Sequence, residues 1–217
     1  MPLIEFYAAP KGTYGNAVLN WEKHAPSDLV AYALSYHNAA HNLIACKERL
    51  EFGSIDHGAC PIIYLYRHSI ELYLKAMIYR VACLSITDDE LRTVLPRLWR
   101  EHSLIRLLDM VSPIFETKNS RFAANLGNLR ENTFEFLSNL EKIDGRSYSF
   151  RYPINTAGHS SLPDTLLVNI FVFAENADAV LLHLKDACRY LLREVLNSSP
   201  QMRLGLTTLL NNKHSTV

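Results

Sequence analysis

The segment YLYRHSIELYLKAMIYR, residues 64–80, makes the strongest demand on the fold. Its apolar residues recur on nearly every face of a helix, so the helix belongs inside a bundle. Yet it carries Arg67, His68, Glu71 and Lys75, and buried charge is costly unless it is paired. His68, Glu71 and Lys75 follow a spacing of three and four and share one face, with Tyr64 and Tyr79 extending the stripe. Arg67 also reaches Glu71 one turn on. Two readings stand side by side. One is an internal salt-bridge seam. The other is a polar cleft, with His68 as acid or base, Glu71 orienting it, and Arg67 or Lys75 binding an anion.

The rest of the chain reads as more helix. Ser27 caps a helix over about 27–52 that stops at Gly53, and Pro61 opens the central helix, which runs to about Leu84. Thr87 with Glu90 marks the start of a short third helix that Pro96 perturbs. A fourth begins near His102 or Ser103. A fifth covers about 118–142, with Phe122, Leu126, Leu129, Phe134, Leu137 and Leu140 as its apolar set. The stretch DGRSYSFRYPINTAGHSSLPD breaks the pattern. Asp144-Gly145 signals a turn, and Tyr148, Phe150 and Tyr152 alternate as in a strand. A last long helix follows, with an extended start. The expected fold is all-α, a bundle of five to six helices with an extended or hairpin insertion near 145–165. An arm (1–26) and a tail (198–217) flank the helical domain (27–197).

At 217 residues the chain fits one domain, and its 22 basic and 22 acidic residues give no global field toward nucleic acid or membrane. Cys46, Cys60, Cys83 and Cys188 form no CxxC pair, and three lie in apolar helical contexts. They read as buried free thiols in a reducing, cytoplasmic setting. The first residues lack a secretory pattern, and no stretch reaches the roughly 18 apolar residues of a spanning helix.

Three further elements bear on chemistry. Arg151 stands between Phe150 and Tyr152, a pattern suited to a phosphate or base contact or to packing on the bundle. In RLWREHSLIRLL, four residues separate Arg97 from His102, and His102 also suits a helix start. His37 and His41 share a helix face as a metal pair would, but without a third ligand in view. No phosphate-binding loop or dinucleotide fingerprint occurs.

YLYRHSIELYLKAMI, then HSLIRLL, then DGRSYSFRYP together resemble a bacterial and phage group of HEPN-like (higher eukaryotes and prokaryotes nucleotide-binding) proteins. The elements that carry the resemblance are Arg67, His68, Glu71, Leu72, Leu74 and Lys75, then His102 with Leu104, then Phe150, Arg151, Tyr152 and Pro153. It spans about residues 27–197. It implies an all-α bundle, often a two-fold dimer. It also implies a metal-independent ribonuclease in toxin–antitoxin or antiviral systems, with no cofactor, and with RNA, a second copy and an antitoxin or other defence protein as partners. The family's usual catalytic signature is an Arg, four to six intervening residues and then a His, on one helix. Arg97 and His102 meet the spacing, although Leu98 stands where a polar residue is usual and Pro96 precedes. On this reading His68 or His102 is the acid–base group, Arg67, Arg97 and Arg151 are phosphate ligands, and Lys75 and Tyr152 also face RNA. The alternative is a non-catalytic HEPN-like module that dimerises or binds.

Overall fold

The computed structural model describes residues 17, 28–47, 55–85, 95–115, 121–162 and 165–196. Apart from residue 17, the expected arm lies outside them, as do the tail after Ser198, the Thr87–Glu90 cap, and the side chains of Cys83, Phe122, Leu126 and Leu129. The architecture is all-α. Its helices are α1 (Leu29–Lys47), α2 (Ile55–Ser85), α3 (Leu104–Phe115), α4 (Arg121–Asp144) and α5 (Ile170–Leu196), with a short helical stretch over 95–100. Among the described residues, no helix is long and apolar enough to cross a membrane.

Helix α2 is the axis of the bundle. It packs against α1, α5 and α3, while α4 lies mainly on α3. From Ile62 to Ile78 it buries Ile62, Ile63, Tyr66, Ile70, Tyr73, Leu74, Ala76, Met77 and Ile78. Burial around the whole circumference accounts for the absence of a clean apolar stripe. Leu104, Leu107 and Val111 of α3, Leu137 and Leu140 of α4, and Ala177, Leu181 and Leu191 of α5 complete the core.

The elements begin where local chemistry starts them. The Ser103 hydroxyl accepts from the Arg106 N–H at 3.1 Å, a cap on α3, and the Leu104 N–H donates to Glu141 Oε2 of α4 at 2.8 Å. Asn169 Oδ1 accepts from the N–H groups of Phe171 and Val172, so α5 starts after a non-helical lead-in at 165–169. Three expectations need correction. Helix α2 starts at Ile55, so Pro61 lies within it; the exposed edge of the helix tolerates the missing donor. Phe134 is 45% exposed, with the buried Thr133 beside it in place of a core aromatic. Cys46 is exposed, while Cys60 is half-buried and Cys188 buried.

The insertion is irregular, not a strand. Residues Tyr148 to Tyr152 form a tight turn, with the N–H groups of Arg151 and Tyr152 donating to the Tyr148 carbonyl. The alternation of aromatics is therefore a turn of helix-like curvature, which brings Tyr148 and Tyr152 together at 4.7 Å between ring centroids. A small hairpin follows, with one antiparallel bridge between Ile154 and Ser160 and with Asn155 Oδ1 accepting from the N–H groups of Ala157 and His159. Gly158 takes φ +82°, a value that suits glycine at this tip.

Candidate functional site

The polar groups of α2 close into one network. Arg67 is fully buried. Its Nη1 donates to Glu71 Oε2 at 3.0 Å, its Nη2 to the His102 carbonyl at 2.7 Å, and its Nε to the Asp144 carbonyl at 3.1 Å. The Asp144 carboxylate lies 3.3 Å from the same Nε. Lys75 Nζ donates to Glu71 Oε1 at 2.8 Å and to the Trp99 carbonyl at 3.2 Å. The seam thus ties α2 to the 95–103 segment and to the end of α4. Asp144 Oδ1 in turn accepts from the N–H groups of Tyr148 and Ser149, which fixes the start of the insertion. Ser147, at φ 57°, sits in the left-handed region inside this turn, and its carbonyl accepts from Arg151 Nε at 2.6 Å.

His102 is the side chain this network presents outward. Its Nδ1 lies 2.9 Å from Glu71 Oε1, and its side chain is 46% exposed. Burial by itself would raise the Glu71 carboxyl. The hydrogen bonds from His102 and Lys75 and the charges of Lys75 and Arg67 outweigh it and bring the group down to about 2. An ionised carboxylate only accepts, so Nδ1 is the donor, and in the neutral imidazole Nε2 keeps its lone pair. Nε2 has no partner among the described residues. Beside it opens a cleft of about 530 Å³, lined by Arg100, His102, Arg106, Glu141 and Arg146 among others. Arg106 pairs loosely with Glu101 at 3.5 Å.

Several assignments made from spacing change. Arg67 and Lys75 are buried and engaged internally, so the geometry makes them structural ties rather than phosphate ligands. Glu71 orients His102 and makes no hydrogen bond to His68. Arg97 and His102 do not share a helix, because 101–103 is non-helical, and Arg97 is exposed and not among the residues lining the cleft. The cations beside His102 are Arg100, Arg106 and Arg146, none of which the motif spacing singles out.

His68 sits in an aromatic sandwich. The ring of Tyr64 stacks on it at 5.5 Å, and Tyr36 meets it edge-on at 4.5 Å. Burial lowers its pKa; Glu71 opposes this, while Lys75, Arg151 and Arg67 add to it, so the ring is neutral at pH 7. Arg151 does come to this side of the bundle. Its guanidinium lies 5.5 Å from the Tyr64 ring, 6.0 Å from Tyr148 and 5.6 Å from Tyr152. Tyr152 is 48% exposed at the outer end of this cluster.

His37 and His41 face α5 instead of each other. His37 Nε2 lies 2.6 Å and His41 Nδ1 3.6 Å from the two oxygens of Asp178, a clasp between α1 and α5. Among the described residues, no group of three or more His, Cys, Asp or Glu side chains is arranged to hold a metal ion. No protein-family model matches the chain, and comparisons with curated proteins and with solved structures find no match either.

Proposed function

We propose that this is a HEPN-like protein that cleaves RNA without a metal, with His102 as its acid–base residue. One observation carries the reading: a buried, ionised Glu71 holds Nδ1 of the half-exposed His102 beside a cleft with three arginines. A histidine oriented by a carboxylate is the arrangement that general base catalysis requires. Nε2 takes the 2′-hydroxyl proton, the 2′-oxygen attacks phosphorus, and the bond to the 5′-oxygen breaks. The products are a 2′,3′-cyclic phosphate and a 5′-hydroxyl end. Arg100, Arg106 and Arg146 offset the charge that develops on the phosphorane. The proton for the leaving oxygen comes from the second His102 of a two-fold dimer. Arg151 and Tyr152 lie outside this cleft and contact flanking RNA.

The test is cleavage of single-stranded RNA in EDTA. His102→Ala is expected to lower the rate by about 10²–10⁴-fold, while folded His68→Ala keeps most of it. Loss in His68→Ala alone would move the chemistry to the aromatic sandwich. A second reading has its own support in the internal satisfaction of Arg67, Glu71 and Lys75: a non-catalytic HEPN-like module that dimerises, or that binds nucleic acid or a defence-system partner. Wild-type protein that cuts no RNA selects it.

A further inference from the structure

The turn after α4 and the hairpin at 153–161 border a second, open cleft of about 410 Å³, lined by Arg146, Tyr148, Ser149, Asn155, Thr156 and Ser161 among others. It shares Gly145 and Arg146 with the cleft beside His102. The two clefts therefore adjoin, with Arg146 lining both. We infer that the second compartment is a nucleobase subsite, which seats an unpaired base of single-stranded RNA next to the phosphate held at Arg146. The inference rests on the RNA-directed reading above and adds what that reading lacks, a determinant of the RNA's form.

Four features of the compartment fit a base. Its volume lies within the range of about 300–1,000 Å³ typical of small-ligand pockets. Tyr148 supplies an aromatic wall, and its ring is braced by Tyr152 at 4.7 Å and by the Arg151 guanidinium, itself pinned to the Ser147 carbonyl. A braced aromatic loses little freedom when a base stacks on it. Polar groups line the cleft as well. The buried Ser161 hydroxyl has no hydrogen-bond partner, and Asn155 uses its Oδ1 within the hairpin while its amide nitrogen has no partner among the described residues. A buried hydroxyl without a partner is uncommon, and a base edge would satisfy the one on Ser161. Arg146 is exposed and has no carboxylate partner among the described residues, so its charge is available to a phosphate. A base stacked within a duplex cannot enter a compartment walled by a hairpin, so the subsite selects unpaired RNA.

The experiment measures binding separately from cleavage. Short fluorescein-labelled single strands with 2′-O-methyl sugars cannot be cut through a 2′-oxygen, and their anisotropy reports affinity. The same label on a fully paired 2′-O-methyl duplex is the comparison. The expected result is tighter binding of the single strand and a roughly ten- to hundredfold loss in Tyr148→Ala, with Tyr148→Phe close to wild type. Thr156→Trp, at an exposed position on the compartment's edge, is expected to block binding in a protein with wild-type thermal stability. Unchanged affinity in both Tyr148→Ala and Thr156→Trp overturns the subsite, as does equal affinity for duplex. Single-strand binding that depends on Tyr148, without cleavage of ordinary RNA, supports the subsite and overturns only the ribonuclease reading.

Discussion

Arg67 and Glu71 show how a residue's role depends on what reaches it from outside its own helix. Their pairing is readable from the spacing, since residues four apart on a helix face each other. The partners that close the network are not, because Asp144 is 77 residues and His102 35 residues away. Those partners convert an apparent phosphate ligand into a buried tie. Replacing Arg67 by Met leaves the Glu71 carboxylate with a reduced set of donors, takes the guanidinium donor from the His102 carbonyl, and leaves the Asp144 carbonyl only the longer bond from the Ser147 N–H. Breaking one partner of a buried ion pair typically costs about 3–5 kcal/mol, and urea denaturation of Arg67→Met is expected to show a loss of that size. A loss below about 1 kcal/mol would place Arg67 among surface ion pairs instead. Helical spacing places His68 on the same stripe as Glu71. Tyr36, which claims one edge of its ring, comes from α1, and nothing local announces that contact.

At the scale of elements, caps explain the boundaries better than periodicity does. Asn169 starts α5 because its side chain accepts two backbone donors that have no partner within the helix. Asn169→Ala is expected to cost about 1 kcal/mol, within the usual 0.5–2 kcal/mol for a lost N-cap, read as a lower urea midpoint with unchanged slope. The start of α3 was legible in His102-Ser103. Its second contact, Leu104 N–H to Glu141, was not, since it joins two helices. The insertion shows the opposite failure. Alternating aromatics suggested a strand, but Asp144 Oδ1 captures the N–H groups of Tyr148 and Ser149 and curls the chain before a strand can pair. A strand also needs a neighbour, and the one bridge among the described residues pairs the insertion with itself.

For the whole molecule, the network around Glu71 links stability to pH. The carboxyl is held at about 2, below its ordinary 4.5, because the folded state favours the charged form. The folded protein therefore binds fewer protons than the unfolded chain between these values. The stability that Glu71 contributes is complete above about pH 4.5 and falls away as the pH drops to about 2. Urea midpoints followed over this window should decline steeply in wild type and less steeply in Glu71→Gln, which cannot titrate. Equal slopes in the two proteins would show that Glu71 is not held low. The same network positions His102, so acid unfolding and loss of the cleft are expected to coincide, as read by tryptophan fluorescence of Trp99 beside Lys75.

What the sequence determined by itself is what depends on neighbours along the chain. This includes the helical class, the apolar central helix, the turn at Asp144-Gly145, the start of α3, and the Arg67–Glu71–Lys75 ladder. Helical spacing and capping act within a few residues, so they are visible in the letters. Only the tertiary structure decided that Glu71 serves His102, that Arg67 is closed off, and that Arg100, Arg106 and Arg146 surround one cleft. Each of these joins segments far apart in the chain, and their meeting is set by how α2, α3 and α4 pack. The network then fixes the chemistry, because the hydrogen bonds and cations that meet at Glu71 outweigh its burial and turn an ordinary carboxylate into a low-pKa anchor.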